Sequence, residues 1–167
     1  MWATVFGSSK ASRDSELYRD SVEVGSFLVE SGYNIKCGGY GGVMEGVSVG
    51  VKNSGGGCHG IGLEFFEAKR ERNIHLSSVE VTLTLIQRVE KLVDDSSLFV
   101  VLEGDIGTLN ELFFVWCLRY TTIRDDIRIC VIGECFEGLR SLKNIDGANF
   151  DFLEFYKSVD EFKRALR

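Results

Sequence analysis

The chain has 167 residues, of which 44% are hydrophobic and 26% are charged, which is ordinary composition for one globular domain spanning residues 1–167. The formal charge of −6 disfavours a nucleic-acid or anionic-membrane surface, because phosphate groups require clustered Lys and Arg. The sequence has no apolar run of about eighteen residues and no basic start followed by an apolar segment, so we expect neither a membrane span nor a secretory signal. We therefore expect a cytoplasmic protein.

The first part of the chain alternates between predicted strands and helices. Short apolar runs predict strands over residues 2–6, 33–37 and 58–63. Helices are predicted over residues 14–30 and 43–53, and Gly32 follows the first helix as a C′ glycine should. The residues expected on the buried side of the first helix are Leu17, Val22, Leu28 and Val29.

The next segment, residues 64–78, is charged and aperiodic, and it is predicted to be a surface loop of the length that is usually functional or mobile. Its charged residues (Glu64, Glu67, Lys69, Arg70, Glu71 and Arg72) are expected to form a solvated face, and His75 to be a surface or packing histidine. An extended piece over 79–84 and a helix over 85–94 should follow.

Residues 98–120 are the stretch around which the chain is organised. The apolar run 98–102 predicts a strand buried on both faces of a parallel sheet, and the turn residues Glu103, Gly104 and Asp105 end it. From Thr108 the period changes to three and four residues, which indicates a helix. The face predicted for this helix consists of Leu109, Leu112, Phe113, Trp116 and Tyr120.

The last part predicts a buried strand over 128–132, a short helix over 137–142 and a strand over 152–156. A capping box at Ser158 and Glu161 then begins a final helix. This alternation predicts an α/β fold: a single Rossmann-like, doubly wound parallel sheet with helices on both faces.

Five cysteines are present, at positions 37, 58, 117, 130 and 135, and no pair has CxxC spacing. We therefore expect reduced thiols in the core of a cytosolic protein. Metal binding through Cys58 and His59 is disfavoured, because adjacent residues of a strand point to opposite faces.

Three turns lie where such a sheet binds ligands, beyond the carboxyl ends of its strands: residues 7–9, 38–42 and 104–108. Glycine lets the backbone approach a phosphate closely, although residues 38–42 are also consistent with a plain strand–helix turn. After the first strand the sequence is GSSKAS rather than GxGxxG, which disfavours a nicotinamide dehydrogenase. The GxxxxGK[ST] phosphate loop is also missing, which excludes that kind of ATP hydrolysis.

The motifs VFGSS at 5–9, GGYGGVMEGV at 38–47, a helical Arg88 and GDIGTLNE at 104–111 resemble the Lonely Guy (LOG) family. Its members are often mislabelled as lysine decarboxylases, and the molybdenum-cofactor carrier proteins are close relatives. The resemblance follows nearly the whole chain in order. The segment GGYGGVME, with Glu45 where plant enzymes have glycine, is similar to the carrier branch.

The resemblance implies a phosphoribohydrolase that cleaves the N-glycosidic bond of a nucleoside 5′-monophosphate, with Arg88 and Glu111 as the catalytic pair. A carboxylate can stabilise the positive charge that develops on the ribose, and a guanidinium can orient the substrate. The nucleotide- and phosphate-binding residues that the resemblance implies are Gly7, Ser8, Ser9, Gly39, Gly41, Gly42, Met44, Glu45, Gly104, Gly107 and Thr108.

Several alternatives remain at this point. The main alternative to the enzyme is a non-catalytic carrier or sensor that binds a nucleotide-like ligand or a pterin molybdenum cofactor. A lysine decarboxylase is disfavoured, because no pyridoxal-phosphate lysine site can be placed in the sequence. Thr108 and Glu111 also form a capping box, and Arg88 also fits a solvated helix face.

This chain departs from the family pattern at Cys37, Glu103 and Asp105, which replace glycine, proline and glycine. Two carboxylates beside a phosphate turn would each cost about 1 kcal/mol if solvated at roughly 4 Å. They either face away from the ligand or recruit a divalent cation near Asp105. No cofactor is otherwise expected to be required.

Residues 113–116 are consecutive and bulky, so one helix face cannot bury them all. We expect a homodimer or homotetramer with the site near the contact, as in similar proteins. The other expected partner is a small nucleotide-like molecule, with neither nucleic acid nor membrane.

Overall fold

A computed structural model of the chain describes residues 1–144 and 149–167. Seven parallel strands form one sheet: β1 Trp2–Phe6, β2 Asn34–Cys37, β3 Cys58–Leu63, β4 Ser78–Thr82, β5 Ser96–Val101, β6 Arg128–Ile132 and β7 Glu154–Tyr156. The helices are α1 Glu16–Glu30, α2 Val43–Asn53, α3 Glu64–Glu67, α4 Leu85–Val93, α5 Ile106–Tyr120 and α6 Val159–Leu166. Two 3-10 segments, Glu134–Asn144 and Phe150–Phe152, lie between β6 and β7.

The strand order is β4-β3-β2-β1-β5-β6-β7, so the chain winds outward from β1 to one edge and returns to the other side of β1. The Rossmann-like fold that the sequence predicts is therefore confirmed. The order reverses between β1 and β5, where Ala3 lies opposite Leu98 and Phe6 opposite Val101. At such a switch point the loops beyond the strands diverge and leave a crevice.

The core consists of two apolar layers, one on each face of the sheet. The first packs α1, α2 and α6 against the sheet through residues such as Leu28, Val47 and Phe162. The second packs α4 and α5 through residues such as Leu92 and Leu112. Since both faces are covered, the central strands have the unbroken apolar sequences that the prediction used.

One buried lysine ties the sheet to a helix end. Lys36 of β2 is only 7% exposed, and its Nζ donates to the carbonyl oxygens of Lys91 and Asp94 at the C-terminus of α4. Carbonyl groups at the C-terminus of a helix receive no hydrogen bond from within the helix and lie at the negative end of its dipole. The Lys36 ammonium supplies the hydrogen bonds and a compensating positive charge.

Several sequence predictions need correction. Residues 64–78 are not one loop, because Glu64–Glu67 forms α3 and Ser78 begins β4. The helix predicted over 137–142 is part of the longer 3-10 segment, and the predicted strand 152–156 is shortened to β7. On α1, Leu28 is buried, but Leu17, Val22 and Val29 are only partly buried, since Val24 and Phe27 form the inner face instead.

The start of the helix in the organising segment was also predicted wrongly. Helix α5 begins at Ile106, and Asp105 caps it by accepting a hydrogen bond from the Gly107 N–H at 3.2 Å, so the capping box proposed for Thr108 and Glu111 is wrong. Its buried face contains Val115, whereas Phe113 and Tyr120 are 40% and 50% exposed.

In residues 1–144 and 149–167, no helix combines the length and apolar character that a membrane crossing requires.

Candidate functional site at the switch point of the sheet

Backbone hydrogen bonds join the three predicted turns beyond the carboxyl ends of β1, β2 and β5. The Ser8 N–H donates to the Glu103 carbonyl at 2.9 Å, and the Ser8 carbonyl accepts from the Val43 N–H at 2.8 Å. The turn after β1 is therefore held between the start of α2 and the turn after β5. The sequence order of these segments gives no indication of the contact, which the strand order creates.

The turn between β2 and α2 requires glycine at one position in particular. Gly42 has φ +67°, in the left-handed region, and a Cβ there would overlap the backbone at Ser8 and Ser9. The close approach of these two turns therefore depends on the missing side chain.

A pocket of about 370 Å³ opens between these turns, within the size range of small-molecule sites. Its walls come from the turns after β1 and β5, from the starts of α2, α4 and α5, and from the segment after β3. The lining residues are Gly7, Ser9, Met44, Phe66, Arg70, Leu85, Arg88, Val89, Asp105, Ile106, Gly107, Thr108, Asn110 and Glu111.

Arg88 lies in the wall of this pocket and is only 8% exposed. Its Nε donates to the Ile61 carbonyl at 3.0 Å, and its Nη2 donates to the Gly38 carbonyl at 3.2 Å. Its Nη1 lies 3.3 Å from Glu111 Oε1. Arg88 is thus held by the ends of β2 and β3 and is not on a solvated helix face.

Glu111 faces Arg88 from the second turn of α5, and its side chain is 12% exposed. The pKa of the Glu111 carboxyl is raised from its ordinary 4.5 to about 7, chiefly by burial; the attraction of Arg88 opposes this rise and the charge of Asp105 adds to it. A carboxyl with such a pKa exchanges its proton near neutral pH, as an acid or base in catalysis must.

Asp105 occupies the start of α5. Besides capping the helix, its Oδ2 lies 3.4 Å from Lys10 Nζ. The positive end of the helix is therefore already satisfied by a carboxylate of the chain itself. The divalent cation suggested near Asp105 stays a prediction, and no group of three His, Cys, Asp or Glu side chains suited to a metal is found in the described residues.

The structure gathers most of the predicted site residues at this crevice. Gly7, Ser9, Met44, Gly107 and Thr108 line the pocket with Arg88 and Glu111. Gly41 lines an adjoining cavity. Ser8, Gly39, Gly42 and Gly104 belong to the turns but are not among the lining residues.

Glu45 has a different environment. Its Oε1 accepts hydrogen bonds from Arg13 Nε at 3.0 Å and from Nη2 at 2.6 Å, and it lies 4.0 Å from His75 Nε2. The structure therefore places Glu45 against the loop before α1, outside the main pocket.

Sequence reasoning missed two contributors to the site. Gly38 supplies a carbonyl to Arg88, and a Cβ at this position would overlap Arg88 Nη2. Arg70 was assigned to a solvated face, yet it lines both the main pocket and the adjoining cavity. The motif match could have pointed to Gly38, but only the fold of α3 places Arg70.

The cysteines are free thiols, and Cys37, Cys58 and Cys130 are buried as predicted, whereas Cys117 and Cys135 are exposed and do not belong to the core. Cys37 and Cys58 are buried on neighbouring strands with their Sγ atoms 3.7 Å apart. Because Cys58 pairs in register with Ile35 rather than Cys37, the two thiols meet diagonally across the sheet. A disulfide requires closer Cα atoms than this offset favours, and so the thiol state is the unstrained one.

Three known proteins are similar to this chain. A cytokinin riboside 5′-monophosphate phosphoribohydrolase of Mycobacterium tuberculosis is 28% identical over 173 residues, covering 99% of this chain and 92% of that protein. The molybdenum cofactor binding protein of Rippkaea orientalis superposes with a TM-score of 0.76 at 18% identity, over 98% of this chain and 93% of that one. The molybdenum cofactor carrier protein of Chlamydomonas reinhardtii has a TM-score of 0.73 at 18% identity, over 98% and 94%.

These likenesses agree with the resemblance seen in the motifs, since LOG-type enzymes and cofactor carriers both occur among the similar proteins. At 18% identity the two carrier structures establish the fold alone. The sequence model of one family matches residues 1–133, which include all three turns, Arg88 and Glu111. The chain therefore belongs to the SLOG cluster4 family.

Proposed function

We propose that this protein is a phosphoribohydrolase that cleaves the N-glycosidic bond of a nucleoside 5′-monophosphate, releasing the base and ribose 5-phosphate. The observation that carries the proposal is the buried pair of Arg88 and Glu111 in the wall of a pocket formed by the turns after β1 and β5 and the starts of α2, α4 and α5. The similarity to the mycobacterial phosphoribohydrolase over nearly the whole chain supports the same reaction.

Glu111 is the catalytic carboxyl in this proposal. Cleavage of the glycosidic bond develops positive charge on the ribose, which the ionised carboxylate stabilises while water attacks the anomeric carbon. With a pKa of about 7, the ionised and protonated forms of Glu111 are both populated near neutral pH. As the bond from the anomeric carbon to the base nitrogen breaks and the bond to water forms, the carboxylate takes one proton from that water, and the protonated carboxyl passes it to the departing base.

Arg88 orients this carboxyl and the substrate. Its guanidinium is held by two backbone carbonyls and Glu111, so it cannot turn away when the pocket is empty. A cation fixed in this way keeps the carboxylate aligned and offers its remaining N–H edge to the ribose hydroxyl groups.

The test is release of free base from a panel of nucleoside monophosphates (AMP, IMP, GMP, CMP and N6-modified adenylates), followed by chromatography. The unsubstituted protein is compared with Glu111→Gln and with Glu90→Gln, which changes an exposed carboxyl on α4. Base release that persists in Glu90→Gln and is lost in Glu111→Gln supports the proposal. No release from any nucleotide by the folded protein would overturn it.

The second candidate is a non-catalytic carrier or sensor that holds a nucleotide-like ligand or a pterin cofactor. The observation that favours it is Asp105, which pairs with Lys10 at the turn where the LOG pattern has a glycine. Binding of a nucleotide without base release, measured as a rise in melting temperature, would support this function instead.

We also propose that two or more copies of the chain associate through the surface beside the pocket. Leu85 and Ile106, which line the pocket, are 53% and 80% exposed, and Ile86 is 80% exposed. Phe113 and Phe114 continue this apolar surface along α5 at 40% and 41% exposure. A patch of this kind marks an interaction surface, and its position would let a second copy cover the mouth of the pocket.

A further inference from the structure

The start of α5 is poorly suited to a second negative charge. Asp105 already accepts the Gly107 N–H, and the charge of Asp105 is balanced by Lys10 at 3.4 Å. A ligand phosphate placed at this helix start would have to displace the Asp105 carboxylate or lie against it. Both arrangements lose the electrostatic gain that makes helix starts good phosphate sites.

Arg70 provides a different cation in the same pocket. It follows α3, and its guanidinium carbon lies 4.2 Å from the centre of the Phe66 ring and 5.6 Å from that of Tyr40. Those two rings meet edge to face at 5.9 Å. The guanidinium therefore lies over the Phe66 ring and beside Tyr40, two aromatic residues that line the main pocket and the adjoining cavity respectively.

The aromatic support is itself fixed by hydrogen bonds. The buried Tyr40 hydroxyl accepts from the Leu63 N–H at 2.8 Å and donates to Glu67 Oε1 at 3.0 Å. These bonds join the turn after β2 to the end of β3 and to α3. The position of Arg70 is consequently set by the sheet, although the residue lies in a connecting segment.

The N–H edges of Arg70 are available to a ligand. Within the described part of the chain Arg70 forms no ion pair and donates no side-chain hydrogen bond, whereas Arg88 uses its three nitrogens on Ile61, Gly38 and Glu111. A cation–π contact does not use the N–H groups of a guanidinium, and paired N–H groups of this kind bind phosphate oxygens.

Arg70 and Ser9 lie on the boundary between the main pocket and an adjoining cavity of about 450 Å³, which Lys10 also lines. An anionic group leaving the main pocket over Ser9 would pass between Arg70 and Lys10. A separate crevice at the start of α1 and the end of β6 is lined by Glu16, Asp20, Glu103 and Glu134 together with Lys157. Its excess of carboxylates makes it a poorer place for an anion.

We propose that Arg70 binds the phosphate of the nucleoside monophosphate at the boundary formed with Ser9, in place of the start of α5. This inference rests on the proposed function and specifies how its substrate is held. The base and ribose lie toward Arg88 and Glu111, and the phosphate lies under the guanidinium edge of Arg70. Arg70 is then the residue that distinguishes a nucleotide from a nucleoside.

The experiment measures the affinity of the full chain for formycin A and for its 5′-monophosphate by isothermal titration calorimetry. These adenosine analogues join base and ribose through a carbon–carbon bond, so hydrolysis does not disturb the measurement. Three variants are compared: Arg70→Gln, Arg70→Lys, and Lys69→Gln, which removes one positive charge from the neighbouring residue. We expect Arg70→Gln to weaken binding of the monophosphate by about tenfold or more.

The same variant should leave the affinity for formycin A within about twofold of the unsubstituted protein, and Lys69→Gln should change neither affinity by more than that. Arg70→Lys keeps the charge but loses the paired N–H groups, so its affinity for the monophosphate should lie between those of Arg70→Gln and the unsubstituted protein. Equal weakening of both ligands by Arg70→Gln would overturn the inference, because Arg70 would then contact the nucleoside.

Unchanged affinity for the monophosphate in Arg70→Gln would also overturn the inference and would leave the proposed function standing. If the unsubstituted protein does not bind formycin 5′-monophosphate, the inference falls for adenine nucleotides, whereas the proposed function is decided separately by base release from the nucleotide panel.

Discussion

Replacing Glu111 by glutamine should change how the stability of the protein depends on pH. Burial raises the pKa of Glu111 from its ordinary value of 4.5 to about 7 in the folded protein. The unfolded chain keeps the ordinary value, so between these two pH values the folded state holds a proton that the unfolded state has released. The free energy of unfolding therefore falls as pH rises through this window.

The size of the effect follows from the gap between the two pKa values. At about 1.4 kcal/mol per pKa unit, the stabilising contribution is fully present below about pH 4.5 and roughly 3 kcal/mol of it is lost by pH 8. Glutamine has the shape of the protonated carboxyl and does not titrate. The free energy of unfolding of the unsubstituted protein minus that of Glu111→Gln should fall by this amount across the range.

The free energy of unfolding of both proteins is measured by urea titration at several pH values between 4.5 and 8. Subtracting one curve from the other removes the contribution of the titratable groups that the two proteins share. Glu90→Gln, which changes an exposed carboxyl on α4, provides the matched control. A difference for Glu111→Gln that stays flat would refute the reasoning, because it would mean that Arg88 keeps the carboxylate ionised despite burial.

Three further changes test other parts of the structure. Lys36→Met should lower the free energy of unfolding by roughly 1–3 kcal/mol in urea titrations, because the carbonyls that end α4 lose their buried donor. The control Lys52→Met, on the exposed side of α2, should change the free energy of unfolding little. Equal losses of stability in the two variants would contradict the role given to Lys36. Gly38→Ala should displace the Arg88 guanidinium and slow base release by roughly a hundredfold, while circular dichroism shows an unchanged fold. Unchanged rates would show that Arg88 can move freely. Ile86→Asp should reduce the mass measured by light scattering to that of one chain, and an unchanged larger mass would place the contact elsewhere.

The sequence predicted the sheet well because a parallel sheet buries its central strands on both faces. Cys58–Leu63 and Arg128–Ile132 were predicted with the observed bounds, and Arg128–Ile132 is a short, mainly apolar run ended by Gly133. The helix at Val43–Asn53 was also predicted with its observed bounds. The glycine cluster before it indicated the turn, although glycine is less diagnostic in a chain that has no proline.

The errors lie where a local signal had two readings. Thr108 and Glu111 have the spacing of a capping box, yet Asp105 is also a good N-cap residue and lies closer to the strand, so α5 starts earlier. Phe113 was placed on the buried face by spacing alone. Its exposure reflects the apolar surface along α4 and α5, which periodicity within one helix cannot distinguish from a core.

The candidate site was predicted through motifs rather than through physics. Arg88 and Glu111 were named from the family pattern, and their ion pair depends on the strand order β3-β2-β1-β5, which sequence spacing does not give. Arg70 lay in a segment without periodicity. Nothing local indicated that Phe66 and Tyr40 would hold it at the pocket.

The hydrogen bonds that join the turn after β1 to those after β2 and β5 have a consequence for folding. Ser8 can meet Glu103 only after the most distant strand pairing in the site, β1 with β5, has closed, and pairings between segments so far apart in sequence are slow to form. The αβ units of the first half can collapse without creating a pocket. Ligand binding should therefore appear late in refolding, together with the last fluorescence change, and a chain that binds its ligand has completed the whole central sheet.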